Sequence, residues 1–380
     1  MTNAHPRLLA AIAISTIALS LVGCAQAEPE ALPTPTATPT PSVTPTPDPF
    51  ALPVSAFDVT CDELVPLAKM VELYGPGTVR MNVSYAGVAD WSLGTTAALT
   101  DGAVICHWGP ADSSFPSATI EATLATPDQF ALARQVFDDV PRPSPPVPIL
   151  DVARARCGDN YPSDTSRAYC DWSVYSGDVW MVARFTELPS SEVQEPATRV
   201  NPDTSANSPT ARPDSLSARI LVDAAQLLNT SERPEREASP TQLTTCDAAL
   251  ERLRMGLAGD IELGEATDRT AFDGQGIGSL SIERRGWTRC SVSIPSQPFG
   301  GVVLTIAQDA AWVLADDGPV VARMQRLSNG DGVIRCAADE GGAQCDAAIV
   351  VGANLAAITV FDTDQALAEA LVVAAARVLN

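Results

Sequence analysis

Residues 168–185 read AYCDWSVYSGDVWMVARF, and residues 343–361 read AQCDAAIVVGANLAAITVF. Each segment has a Cys-Asp pair, a glycine seven positions after the cysteine, and a closing phenylalanine, Phe185 or Phe361. Runs of strand-forming residues flank each glycine, which is typical of two antiparallel strands joined by a tight turn. The same hairpin is therefore predicted twice in one chain.

Eight cysteines follow Cys24, and their spacing also repeats. The successive intervals are 45, 51 and 13 positions in the first set of four and 44, 46 and 9 in the second. The two sets are Cys61, Cys106, Cys157 and Cys170, and then Cys246, Cys290, Cys336 and Cys345. Two copies of one pattern predict an internal duplication.

An even number of cysteines in an exported chain predicts disulfides. Four cysteines allow three connectivities, so spacing alone does not decide the pairing within a half. We favour pairing the first with the second and the third with the fourth. This gives Cys61–Cys106, Cys157–Cys170, Cys246–Cys290 and Cys336–Cys345. The alternative is a zinc site, but these intervals do not match zinc-binding spacings.

Periodicity and turn signals predict the elements of the first half. Apolar residues at helical spacing predict a helix over 61–74, and Thr126-Pro127 predicts the start of another that ends near Val140. Asp101-Gly102 favours a tight turn, so a hairpin is predicted from 95–99 and 104–108. Three further strands and a closing helix are predicted over 118–125, 168–176, 179–185 and 215–229.

The second half repeats this order. Helices are predicted over 246–255 and 364–379, with strands over 278–283, 288–294, 302–307, 332–336, 346–351 and 355–361. Strands joined by tight turns, with helices at the ends, indicate an α+β fold. We expect two tandem homologous domains, each an antiparallel sheet with flanking helices and two disulfides.

Composition suggests where these domains begin and end. We expect the first repeat over 51–230, a linker rich in Pro and charged residues over 231–242, and the second repeat over 243–380. The stretch 187–213 has no counterpart in the second half, so it is expected to be a mobile insertion.

The chain opens with an export signal. An apolar run over 8–22, too short to span a bilayer comfortably, ends in Gly23-Cys24. This segment resembles the lipobox of bacterial, actinobacterial-type exported lipoproteins. The resemblance implies a signal peptide over 1–23, a lipid on Cys24 and a location on the outer face of the cytoplasmic membrane. The alternative is an ordinary secretory signal with an incidental cysteine.

The lipobox is followed by a tether. Residues 29–49 contain eight Pro and six Thr, a composition that stays extended and cannot bury apolar surface. We expect residues 24–50 to hold the folded part away from the membrane. The Cys106-His107-Trp108 strand also resembles this lipoprotein pattern, whereas Cys290-Ser291-Val292 departs from it.

Charge excludes two classes of partner. The chain has 24 Lys+Arg against 46 Asp+Glu, a formal net charge of −22. Nucleic acid binding needs a basic stripe, and electrostatic attachment to anionic lipid needs basic clusters. We therefore expect no nucleic acid partner and attachment to the membrane only through the lipid anchor.

The sequence contains no recognisable catalytic, metal or cofactor motif. His107 is the one histidine after the signal peptide, and it lies between a cysteine and Trp108 on a predicted strand. A structural role there is favoured over a catalytic triad. No Gly-x-Ser-x-Gly, His-Glu-x-x-His, P-loop or Rossmann pattern occurs. We predict that the chain is not an enzyme.

Aromatic residues concentrate in the first half, which holds all five Tyr and four of the six Trp. Strand alternation predicts one shared face for Tyr169, Asp171, Tyr175, Trp180 and Arg184. Aromatic rings beside Asp and Arg suit a sugar or peptide ligand. The alternative is that a helix covers this face, which the apolar Ala348, Val350, Ile358 and Val360 of the second half favour.

Together these features predict a membrane-anchored envelope lipoprotein acting as a non-enzymatic binding or scaffold module for an envelope protein or glycan. Two alternatives stay open: the solute-binding lipoprotein of a transporter, and a carboxylate-dependent cell-wall hydrolase. The lack of alternating β and α elements argues against the first. The second needs two carboxylates in one cleft.

Overall fold

A computed structural model describes residues 48, 50–81, 93–113, 115–138, 147, 150, 152–159, 168–194, 209–234, 241–257, 262–271, 276–295, 301–315, 324–327, 332–339, 342–361 and 365–379. These residues all belong to one compact unit. The predicted signal peptide, Cys24 and nearly all of the predicted tether lie outside them.

The described part of the first half has five helices and a six-stranded antiparallel sheet. Its elements are α1 (Cys61–Leu64), α2 (Leu67–Tyr74), β1 (Thr78–Met81), α3 (Leu93–Thr100), β2 (Val104–Pro110), β3 (Ala118–Leu124), α4 (Pro127–Asp138), β4 (Val152–Asp159), β5 (Ala168–Ser176), β6 (Val179–Leu188), β7 (Val193–Gln194), β8 (Thr210–Ala211) and α5 (Leu216–Thr230). The strand order is β1-β2-β3-β6-β5-β4, and β7 pairs with β8 separately.

The described part of the second half has the same design. Its elements are α6 (Cys246–Gly256), β9 (Ala266–Asp268), α7 (Ile277–Arg284), β10 (Thr288–Ser293), β11 (Gly301–Ala307), β12 (Gln325–Arg326), β13 (Gly332–Asp339), β14 (Gly342–Val351), β15 (Asn354–Phe361) and α8 (Gln365–Ala376). The order β9-β10-β11-β15-β14-β13 matches the first sheet strand for strand, with β12 added at one edge. The predicted duplicated α+β fold with antiparallel sheets is confirmed.

All four predicted disulfides are confirmed. Cys61–Cys106 and Cys246–Cys290 join the opening helix of each half to its second strand. Cys157–Cys170 and Cys336–Cys345 join residues that lie directly opposite each other on paired strands. The two bonds of each half therefore fix the first helix and the far edge of its sheet.

The hairpin predicted over 95–108 and the strand predicted over 278–283 were wrong, because both segments contain helices, α3 and α7. Asp101-Gly102 ends α3: Gly102 has φ +77°, and its N–H donates to the Leu99 carbonyl. Gly286, at φ +61°, ends α7 in the same way. A glycine in the left-handed region closes a helix as readily as it turns a hairpin.

Other boundaries also differ from the prediction. The helix predicted over 61–74 is two helices, because Pro66 disfavours helical backbone at Val65, which is extended. The edge strands β1, β4 and β9 were not predicted. The other predicted strands, and the helices near Pro127, Leu216, Cys246 and Gln365, occur with shifts of one to a few residues.

Both ends of the stretch 187–213 belong to the fold, which corrects the prediction of a mobile insertion for those ends. β7 pairs with β8. The buried carboxylate of Glu192 accepts the backbone N–H groups of Leu216 and Ser217 at 3.2 and 2.8 Å, at the start of α5. A carboxylate there complements the helix dipole. Residues 195–208 lie outside the described residues.

Phe185 and Phe361 are not equivalent residues. Phe185 pairs with Ala118 and is fully buried, whereas Phe361 pairs with Gly301 and is 40% exposed. The position equivalent to Phe185 is Val360, which pairs with Val302 and is buried. Phe361 therefore lies one residue beyond the position of Phe185 in the strand register, so its ring points to the opposite face of the sheet.

Each sheet packs a helical layer against one face. In the first half, α1, α2 and α5 cover a core that includes Trp108, Trp172 and Phe185. In the second half, α6 and α8 cover a core that includes Leu304 and Ile358. These two cores hold most of the large apolar residues of the described chain, and their burial is the main source of stability.

On the inner faces of the sheets, α3 and α7 form a layer that the two halves share. Ile277 and Leu280 of α7 join the apolar cluster on the first sheet, and Ala97 of α3 joins the cluster on the second. Gly94 and Gly278 meet where the helices cross, since a Cβ at Gly278 would lie 2.6 Å from the Gly94 Cα. They occupy equivalent positions, each twelve before the second cysteine of its half. The crossing of α3 and α7 therefore brings together the same position of the two repeats.

Candidate functional site

The register of β5 and β6 places the five residues of the predicted patch on one face of the first sheet. Asp171 pairs with Arg184, and Tyr175 pairs with Trp180. Tyr169, Asp171 and Tyr175 alternate along β5, so their side chains point to the same side. This is the inner face, opposite the core beneath α2 and α5.

One end of this face is covered. The Tyr175 ring stacks on Phe130 of α4 with centroids 4.7 Å apart, and its hydroxyl donates to the Ala125 carbonyl. Trp180 is fully buried, and its indole N–H donates to Ser173 Oγ at 3.0 Å. We call Tyr175 and Trp180 the covered end. Both rings serve the core there, as the alternative interpretation of the sequence expected.

The other end of the face is polar, and its centre is Asp171. Arg184 Nε donates to Asp171 Oδ1 at 2.7 Å and Arg184 Nη2 donates to Oδ2 at 3.3 Å, while Arg156 Nη2 donates to Oδ2 at 3.4 Å. The carboxylate is buried, but the Arg184 side chain is 64% exposed. The hydrogen bond that Arg184 donates to Asp171 raises the pKa of Arg184 further above its ordinary value. Arg156, Tyr169, Asp171 and Arg184 are called the open end.

Tyr169 lies beside this ion pair. It pairs with Gly158 across β4 and β5, and a Cβ at Gly158 would lie 2.7 Å from the ring carbon Cε1 of Tyr169. The half-buried ring therefore packs directly on glycine backbone. Only glycine allows the ring to lie this close to the sheet.

Two more titratable groups lie on the same face: Glu121 on β3, next to the strand of Arg184, and His107 on β2, one strand further away. Burial raises the pKa of Glu121, and the nearby Arg184 opposes that rise. Burial lowers the pKa of His107 to about 4, and its Nδ1 is buried without a hydrogen-bond partner. His107 is thus neutral at neutral pH, in keeping with the structural role expected for it.

The second half repeats the ion pair without the second arginine. When Cys170 is aligned with Cys345, the open-end residues Tyr169, Asp171 and Arg184 correspond to Gln344, Asp346 and Thr359. Buried Asp346 accepts hydrogen bonds from Arg335, Gln344 and Thr359. The sequence pattern indicated Ile358 and Val360 as counterparts of the patch residues. The strand register corrects this, because both residues lie on the opposite face, in the core under α6 and α8.

Sequence reasoning missed Arg156 and Glu121. Arg156 did leave a signal, because an arginine directly precedes the third cysteine of each half, in Arg156-Cys157 and Arg335-Cys336. The third cysteine of each half pairs across antiparallel strands with the fourth, and an aspartate follows the fourth. The arginine before the third cysteine therefore lies opposite that aspartate. A disulfide on one face and an ion pair on the other thus form a repeated unit. Glu121 gave no comparable signal.

A cleft with a volume of about 520 Å³ lies elsewhere, beside the end of α2. Tyr74, Thr78, Asp112 and Glu187 contribute to its lining. Tyr74 donates its hydroxyl to the Ser117 carbonyl at 2.8 Å, and burial raises the pKa of that hydroxyl well above its ordinary value. The cleft is shallow and shares no residue with the open end, so we take the ion-pair geometry as the better guide to a site.

Within the described ranges, no three His, Cys, Asp or Glu side chains are grouped so that they could hold a metal ion. Of the helices in the part of the chain that the structure describes, none is both long and apolar enough to cross a membrane. No protein family, curated protein or solved structure matches this chain.

Proposed function

We propose that the chain is an exported lipoprotein, anchored through Cys24 on the outer face of the cytoplasmic membrane, that binds a glycan or envelope protein without catalysing a reaction. The apolar run before Gly23-Cys24 and the Pro/Thr-rich segment after it support the location. The folded unit would then lie outside the cell, where its four disulfides are stable.

The observation that carries the binding role is the contrast between the two ends of one sheet face. At the covered end, Trp180 and Tyr175 are packed under α4. At the open end, Arg184 is 64% exposed although two hydrogen bonds to Asp171 fix its guanidinium. A charged group that is both exposed and held in one geometry is ready to bind, since little side-chain entropy is left to lose.

The location is tested by fractionating a GC-rich Gram-positive host that expresses the full chain. Wild type is expected in the membrane fraction, with a mass that includes a lipid. Cys24→Ala is expected to lose the lipid and to leave that fraction. Equal membrane retention of both proteins would overturn the anchor.

The binding role is tested on residues 50–380, exported as a soluble protein and compared in native and denatured mass spectra. The denatured mass should be about 8 Da below the fully reduced value, since each of the four disulfides removes two hydrogens. Extra mass in the native spectrum alone would identify a ligand. A small metabolite there would instead favour the solute-binding alternative. A clean native spectrum, together with no binding when cell-wall glycan or envelope protein is added, would overturn the binding role.

One observation favours a hydrolase as the second candidate. Glu121, whose raised pKa suits a general acid, lies on the same face as Asp171, with β6 between their strands. Both carboxylate oxygens of Asp171 already accept hydrogen bonds from arginines, which leaves them poorly placed to attack a substrate. Release of reducing sugar ends from cell-wall glycan by wild type, lost in Glu121→Gln, would establish this activity. No release by wild type would exclude it for that substrate.

A further inference from the structure

Arg184 occupies a position where the fold itself does not require an arginine. In the second half the equivalent residue is Thr359, whose hydroxyl donates to Asp346 at 2.7 Å. Asp346 keeps one arginine, Arg335, and is as buried as Asp171. The repeated unit therefore needs one Arg–Asp pair and one more donor to the aspartate. A neutral donor meets that need, so the positive charge at Arg184 is an addition.

The charges on the two equivalent faces differ accordingly. The inner face of the first sheet carries Arg154, Arg156 and Arg184 against Asp171 and Glu121. The equivalent positions of the second sheet carry Val333, Arg335, Thr359, Asp346 and Thr305. At these five positions the first face has one cation in excess and the second is balanced, although the second face also carries Arg289, opposite Thr305, and Arg326, opposite Val333. An excess of positive charge in a chain of net charge −22 is a local feature suited to an anion.

Arg184 is arranged to bind a flat anion. Its two bonds to Asp171 use two of the five N–H donors of a guanidinium, and the side chain remains 64% exposed. The guanidinium fork matches the two oxygens of a carboxylate. The half-buried Tyr169 ring beside it adds an apolar plane that packs on Gly158. Sugar rings and aromatic planes pack well together, because both present flat, largely apolar surfaces.

We propose that the open end binds an acidic glycan, with Arg184 receiving the carboxylate of a sugar acid and Tyr169 packing against its ring. This inference rests on the proposed binding function and names the chemical class of its ligand. Asp171 is the positioning residue, since it fixes the Arg184 guanidinium.

The test is calorimetry of residues 50–380 with two tetrasaccharide probes. One alternates glucuronate and N-acetylglucosamine, and the other contains N-acetylglucosamine alone. The acidic probe is expected to bind at least tenfold more tightly than the neutral one, and its affinity should fall with added salt. Arg184→Thr, which copies the second half, should weaken acidic binding about 10–100-fold, the range for a hydrogen bond to a charged group. Its melting temperature should change little.

The matched control is Arg80→Gln. Arg80 is also an exposed arginine paired with one aspartate, Asp62, at 3.3 Å, but it lies on edge strand β1, opposite Trp108 in the register. Its loss should leave affinity for the acidic probe unchanged. Tyr169→Leu, which keeps an apolar cover over Gly158 but removes the ring, should weaken binding of the acidic probe several-fold.

Four outcomes would overturn the assignment. Equal affinity for the two tetrasaccharides, or equal losses in Arg184→Thr and Arg80→Gln, would exclude recognition of the carboxylate by Arg184. Binding of inorganic phosphate or tetraglutamate in preference to the acidic glycan would assign the open end to another anion. If wild type binds neither tetrasaccharide but carries an unrelated ligand in the native mass spectrum, the ligand class is wrong while the proposed binding function stands.

Discussion

Position 184 holds an arginine in the first half, and the equivalent position 359 holds a threonine in the second, although both side chains donate to the aspartate of the repeat. The strand order is the same in both halves, and so is the disulfide between the third and fourth cysteines. An arginine also lies opposite the aspartate in each half, Arg156 in the first and Arg335 in the second. The comparison separates what the fold needs from what it merely accommodates. A partnered aspartate is needed at this place, whereas the exposed cation and the tyrosine occur in the first half alone.

The largest difference is expected when the aspartate itself is removed. Asp346→Asn should lower the free energy of unfolding by about 3–5 kcal/mol, because it leaves the charge of Arg335, only 16% exposed, without its partner. Asp171→Asn should cost less, because Arg184 and Arg156 are 64% and 34% exposed and can reach water. Urea unfolding of both variants measures this. Equal losses would contradict the contrast between the halves.

Acid should affect the first half more than the second. Burial lowers the pKa of His107 to about 4, below its unfolded value near 6.5. The neutral histidine therefore stabilises the fold above pH 6.5, and that stability is lost as the pH falls through about 4. The loss is on the order of 3 kcal/mol by the pKa difference.

His107→Ser tests this, because Ser291 is the equivalent residue of the second half. Melting temperatures measured between pH 7 and pH 4 should fall less steeply for the variant than for wild type. Parallel curves would assign the acid sensitivity to other groups.

The crossing of α3 and α7 is the place where the halves do not differ, and an added methyl group should disturb both. Gly278→Ala places a Cβ 2.6 Å from the Gly94 Cα, which is backbone and cannot rotate away. Overpacking of this kind costs about 1–3 kcal/mol, offset by up to about 1 kcal/mol of helix propensity. Gly301→Ala is the matched control, since its Cβ would meet only Val292 O, at 3.5 Å. Thermal unfolding should rank Gly278→Ala as the less stable variant.

The smallest expected effect concerns Glu121, which corresponds to Thr305. Burial raises the pKa of Glu121 in the folded state above its value in the unfolded chain. The protonated side chain therefore contributes its full stability below the unfolded pKa, and this contribution is lost as the pH rises through the folded pKa. Glu121→Gln should therefore gain stability relative to wild type between pH 4 and pH 8. Thr305→Val should show no such trend. Chemical denaturation at both pH values measures the difference, and a pH-independent offset in Glu121→Gln would refute it.

The sequence predicted the repeat, the disulfides and most strands because these leave local signals. It misassigned α3 and α7 for a physical reason. Both helices are short, and their layer is packed between two sheets, so neither shows the one-sided apolar stripe of a surface helix. A short apolar run that ends in a glycine turn is then indistinguishable from a strand.

The candidate site was partly predictable for a similar reason. Alternation along β5 and β6 is local, so it placed Tyr169, Asp171 and Arg184 on one face with Tyr175 and Trp180. The cover over Tyr175 comes from Phe130 of α4, about 45 positions earlier in the chain, and no local pattern reports such a contact. Arg154 and Arg156 alternate with Ala153 and Ala155, which is a strand pattern that predicts β4 in retrospect.

The close approach of Gly94 and Gly278 gives the chain the form of a homodimer whose two subunits have been fused. A separated half would lose apolar neighbours on its inner face, where Ile277, Leu280 and Ala97 reach across. Two free halves would have to find each other at their concentration in solution. In the fused chain the partner is always present at a fixed effective concentration, so dilution does not weaken the association. The duplication has thus turned a concentration-dependent assembly into a step of folding.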